Sequence, residues 1–200
     1  MKTKKKILVA LALVGCAILL VAGSIAGTIA YLTATDTVTN TFTVGKVAIK
    51  LDEAKVTAYG EVDGTTRVKV NEYKLIPGHS YIKDPIVYVE KGSEESYVFI
   101  KVVNDLANIE AGETIATQIA ENGWTALDGQ TGVYYKVVDA RETTVDMTLP
   151  VFASFTLKED ATVANYASAT IVVTAYAIQM DQTGTAAEAW VTVSTAYANS

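Results

Sequence analysis

Two hundred residues with 16 basic and 22 acidic side chains carry a net charge of −6 and a pI near 4.8. That balance argues against nucleic acid, whose phosphates need a basic patch, and against peripheral binding to anionic lipid. The single cysteine, Cys16, lies in an apolar run, so no intrachain disulfide can staple the fold.

Lys2, Lys4, Lys5 and Lys6 precede an uncharged stretch from Ile7 to Thr35. A cationic start, an apolar segment and small residues around Gly23 and Gly27 form an export signal, and its charges stay on the cytoplasmic side. The expected cut follows Ala30, with Thr28 and Ala30 in the peptidase's grip and Tyr31 as the first mature residue. The alternative is an uncleaved anchor, because Ile7 to Leu32 would span a bilayer, which takes about 20 apolar residues. Cys16 sits in the middle of the run, the wrong place for lipidation. Removing the four leading lysines leaves 12 basic against 22 acidic residues, a net charge of −10 on the mature part. Residues 1–30 are thus read as signal and 31–200 as one domain, large enough to bury a core.

From Thr37 the pattern has period two. Val38, Phe42 and Val44 share one parity, and after Gly45 the apolar set switches to Val47, Ile49 and Leu51. A one-residue switch turns the apolar set to the other face, so Gly45 reads as a bulge or hinge between two short strands. Val56 to Tyr59 and Thr66 to Leu75 are further strands, with Asp63-Gly64 as a hairpin turn between them. Pro77-Gly78 sets a tight turn, and Pro85, which cannot donate to a ladder, starts the strand Ile86 to Val89. Ser96 to Val103 is the most strand-like run in the chain. The period then lengthens, predicting a helix over 113–121 with Gly123 as its C-cap. Strands return at 124–127, 132–139, 143–149 and 151–157, with Asp128-Gly129 as a turn. After a loop at 158–167 comes a long strand, 168–179, whose small residues suggest a crowded central position. A short helix over 186–193 contains Trp190, and the tail beyond it is expected to fray.

About nine short strands separated by turn signals, with one short inserted helix and an N-terminal signal or transmembrane helix before them, give an all-β antiparallel sandwich. A barrel is the alternative.

Several motifs resemble the exported TasA/camelysin-like family with its SipW-type signal peptide. They are Gly27-Thr28-Ile29-Ala30-Tyr31-Leu32-Thr33, Thr39-Asn40-Thr41-Phe42-Thr43-Val44-Gly45-Lys46-Val47, Tyr73 to Gly78 with Lys83-Asp84-Pro85, Tyr97 to Val102, and Thr174 to Gln179. These are strand and turn patterns, not reaction signatures. The resemblance implies a jelly-roll sandwich secreted by Gram-positive bacteria, cut by a dedicated signal peptidase and built into surface or biofilm-matrix fibres. It further implies head-to-tail donation of the N-terminal strand to a second copy or a related matrix protein. The donor would be residues 31–44, with Val38, Phe42 and Val44 filling the neighbour's groove and Gly45 as hinge.

Camelysin-like relatives imply a competing activity, an exported metal-dependent endopeptidase. Zinc hydrolases commonly place two histidines on one helical face beside a glutamate base. This chain has one histidine, His79, in the Pro-Gly turn, and that reads as a solvated residue. No nucleophile pairs with a histidine base elsewhere. Glu94-Glu95 and Glu159-Asp160 read as solvated turn charges, and Asp52-Glu53 or Glu159-Asp160 as modest calcium candidates without a spaced loop. Strand tyrosines such as Tyr59, Tyr88 and Tyr134 read as half-buried packing rather than a carbohydrate surface. The expectation is therefore a non-enzymatic structural protein with no catalytic residue, cofactor or metal, and with membrane contact only through its N-terminal segment. A membrane-anchored surface binding module is the third reading.

Overall fold

The computed structural model describes residues 47–139 and 145–198. In chain order the elements are β1 (Ile49–Val56), β2 (Val62–Val68), β3 (Ser80–Ile82), β4 (Ile86–Val89), β5 (Ser96–Asn104), α1 (Ile115–Glu121), β6 (Thr125–Ala126), β7 (Val133–Val138), β8 (Met147–Pro150), β9 (Ser154–Thr156), α2 (Val163–Tyr166), β10 (Ile171–Gln179) and α3 (Ala186–Ala198). The cleavage residues Thr28, Ala30 and Tyr31, the donor residues Val38, Phe42 and Val44, and Gly45 lie outside the described residues.

The strands pair antiparallel throughout, in two four-stranded sheets ordered β2-β1-β4-β8 and β10-β5-β7-β6 and a two-stranded ribbon, β3-β9. The fold is all-β in character, with few short helices. Both sheets feed one core. Val87 and Val89 of β4 and Leu149 of β8 pack into it with Val98 and Ile100 of β5 and Val138 of β7. The helix α1 adds Ile115 and Ile119. It forms where the changed period predicts it, because the Thr114 hydroxyl accepts the Thr117 N–H at 3.2 Å and Gly123, at φ +77°, closes its end.

β5 is buried on both faces over its first five residues. Its outward residues Tyr97 and Phe99 lie in a second apolar cluster with Leu127, Val133 and, from α3, Ala189, Trp190 and Val193. The Trp190 ring sits 5.4 Å from Phe99 and 5.2 Å from Tyr176, edge-on to the latter. The helix does not end at 193; α3 continues to Ala198, and its buried residues Ala189, Trp190 and Val193 lie in the second cluster.

Three further expectations are corrected. The expected segment Val47 to Leu51 runs on as far as Val56 in one strand, β1, which begins at Ile49 and is held between β2 and β4, whereas 57–59, expected as strand, lie in the loop that follows. Asp52 and Glu53 inside it are buried with partners. The β1–β2 hairpin turns at Ala58-Tyr59-Gly60, where Gly60 has φ +80° and its N–H donates to the Thr57 carbonyl at 2.9 Å. Asp63-Gly64 instead lies in β2, in a stretch where the register slips against β1. Finally, β10 stands at the end of its sheet among the described residues, where it pairs with β5 alone. Its small residues are explained by layers above and below: Ala175 and Ala177 pack on the core, Tyr176 and Ile178 under α3.

Candidate functional site

Asp52 and Glu53 are neighbours on β1, so their side chains leave opposite faces of the strand, and each is about 5% exposed. A buried charge is costly without a partner. Asp52 Oδ1 accepts from Arg67 Nε at 2.5 Å, and Lys50 Nζ lies 2.6 Å from Asp52 Oδ2. The same guanidinium reaches Asp84 Oδ2 at 3.0 Å through Nη1 and the carbonyls of Asp52 and Asp84 through Nη2. Asp84 Oδ1 in turn accepts the Ala54 N–H at 2.6 Å. One arginine thus ties β1, β2 and the β3–β4 link together. Burial alone would push the Asp52 carboxyl up; hydrogen bonds and charge from Lys50 and Arg67 outweigh it and hold the group below its usual range.

Glu53 serves a second set. Its Oε2 lies 2.5 Å from Lys83 Nζ, and its Oε1 accepts from Asn71 Nδ2 at 2.9 Å. The Asn71 amide is held at every atom: Nδ2 also donates to the Ala54 carbonyl at 2.8 Å, and Oδ1 accepts the Val56 N–H at 3.0 Å. Lys83 is placed by its own N–H, which donates to the Ala153 carbonyl at 3.1 Å. Beside them Tyr73 donates to the Ile82 carbonyl at 3.0 Å and packs edge-on against Tyr81 and Phe155. Burial, with Glu53 and Asp84 adding to it, pushes the Tyr73 phenol well above its usual value.

Glu53, Asn71, Tyr73 and Lys83 line a groove of about 680 Å³ that also takes in the chain from Val68 to Glu72 and the stretch from Ala169 to Val173. Two apolar side chains in it stand open to solvent, Val70 and Val172. The groove therefore runs between the end of β2 and the start of β10, both of them edge strands among the described residues.

Among the described residues no group of three His, Cys, Asp or Glu side chains could hold a metal ion. His79 is half-buried rather than solvated, its Nε2 3.0 Å from the Tyr59 carbonyl and its ring edge-on to Tyr81. Asp52 and Glu53, read as a calcium candidate, already face cationic side chains. Glu159 and Asp160 are exposed at the turn after β9. Sequence reasoning singled out none of Arg67, Asn71 or Lys83 for a role. The one available signal was an acidic pair inside an otherwise continuous strand pattern. Among the described residues no helix is long and apolar enough to cross a membrane. No protein-family model, no curated protein and no solved structure matches this chain.

Proposed function

We propose that this chain is an exported structural subunit of a surface or matrix fibre, a jelly-roll-type sandwich of the TasA-like kind that polymerises by strand donation. The supporting observation is the edge of β10, which among the described residues pairs only with β5 and borders a groove where Val70 and Val172 lie uncovered. An unpaired edge beside an apolar groove accepts an extended segment through main-chain hydrogen bonds, with alternate side chains filling the groove. Residues 31–44 of a second copy suit that role, because Val38, Phe42 and Val44 recur at strand period and signal cleavage after Ala30 would free them. Donation from copy to copy is a heterologous contact, and such contacts grow into filaments. The partners are further copies or related matrix proteins, and a signal peptidase acts before them.

The test is electron microscopy of the exported protein beginning at Tyr31, of the same protein lacking residues 31–44, and of the acceptor variant Val70→Lys with Val172→Lys. Fibres from the first and folded monomers from the other two are expected. Fibres of normal length from the deletion, or monomers from the complete mature chain, overturn the reading.

A further inference from the structure

Glu53 holds a lysine ammonium on one carboxylate oxygen and an asparagine amide nitrogen on the other. The lysine and glutamate are buried, and the asparagine is half-buried in the same groove. An ordinary structural ion pair needs only the two charges. Here the carboxylate is shared with a primary amide whose carbonyl oxygen already accepts a backbone N–H. Those are the parts of an acyl-transfer centre: an amine nucleophile, a proton carrier and a polarised carbonyl with a donor at its oxygen. The geometry points to a self-made covalent cross-link, an isopeptide bond between Lys83 Nζ and Asn71 Cγ formed with Glu53 as the catalytic acid–base. The inference is independent of strand donation.

The reaction begins when the Lys83 ammonium passes a proton to Glu53 Oε2 along their 2.5 Å contact, leaving a neutral amine and a neutral acid. The amine lone pair attacks Asn71 Cγ, and charge collects on Oδ1, where the Val56 N–H stands 3.0 Å away. Glu53 delivers its proton to Asn71 Nδ2, 2.9 Å from Oε1, and takes one from the attacking nitrogen. The Cγ–Nδ2 bond breaks, the released ammonia takes the proton that Glu53 received from the attacking nitrogen, and it departs into the groove as ammonium, carrying away the positive charge that began on Lys83. Glu53 ends as a carboxylate, and no oxidant or cofactor is consumed. The bond would join the chain just after β3 to the chain just after β2, closing a loop between edge segments that a disulfide cannot serve in a domain without cysteine.

The measurement is intact mass of the full chain as exported, followed by protease digestion and fragmentation of the linked peptides. The expected mass lies below that of the sequence by one ammonia, about 17 Da, with a branched peptide joining Asn71 to Lys83. Glu53→Gln, Asn71→Ala and Lys83→Met should each restore the ammonia and abolish the branched peptide. An uncross-linked wild-type mass overturns the inference, as does an ammonia loss that maps to any other residue, such as a cyclised asparagine. A Glu53→Gln protein that still carries the branch removes Glu53 from its role. If the variants fail to fold, the mass and the peptide map of the unaltered chain decide alone.

Discussion

Trp190→Ala tests whether α3 is a structural layer or a decorative tail. Trp190 is 6% exposed, contacts the rings of Phe99 and Tyr176, and donates from its indole N–H to Gln130 Oε1 at 3.3 Å. Truncating a buried tryptophan costs about 3–5 kcal/mol. The lower end applies, because this cluster covers one sheet face from the outside and solvent can enter the space left behind. In a domain of this size each kcal/mol lowers Tm by about 2–4 °C, so a fall of about 6–12 °C is expected. Val191, its neighbour on the same helix, is 64% exposed. Val191→Ala should stay within about 0.5 kcal/mol of the parent. Thermal unfolding followed by near-ultraviolet circular dichroism reads both variants. A Trp190→Ala shift no larger than that of Val191→Ala would refute the packing argument and return the chain after Gly184 to an independent tail.

Two further outcomes follow from the charged site and from the hairpin. The Asp52 carboxyl is held below its ordinary value, so its contribution to stability is present above the unfolded value of about 3.9 and is lost as pH falls through the lower folded value. Denaturant unfolding of the parent and of Asp52→Asn should therefore show a gap that is constant from neutral pH to about 5 and that narrows below about 3.9; a gap unchanged at acid pH contradicts the pairing with Arg67 and Lys50. Gly60→Ala should destabilise severely, since φ is +80° there and an added Cβ would lie 2.7 Å from the Tyr81 Cα. A soluble Gly60→Ala chain with unchanged Tm would mean that the hairpin does not close against β3 as described.

Local pattern carried the sequence reading furthest where one element suffices to satisfy itself. The helix α1 was legible because Thr114 and Gly123 cap it with groups a few residues away. The Pro77-Gly78 turn closes through the His79 N–H on the Ile76 carbonyl at 3.2 Å, with Gly78 at φ +75°. Asp128-Gly129 likewise turns between β6 and β7. The Asp63-Gly64 pair misled for the same reason. It is a good local turn signal, but the hairpin closes a few residues earlier, where the Thr57 N–H donates to the Glu61 carbonyl at 2.8 Å and the Glu61 N–H to the Thr57 hydroxyl at 3.3 Å.

By itself, then, the amino-acid sequence determined period, parity and punctuation: an acidic all-β domain, its strand-forming runs, its capped helix and most of its turns. Those features depend on atoms within a few residues of one another. The tertiary structure alone decided that Asp52 and Glu53 belong inside a strand, that β10 is an edge among the described strands, and that α3 roofs the second sheet. Each of these depends on partners far along the chain: Lys83 lies 30 residues from Glu53, and the sheet beneath Trp190 includes Phe99. Hydrophobic alternation says that a face is buried, not what buries it, and an acidic side chain announces neither its cation nor its amide until the fold has brought them together.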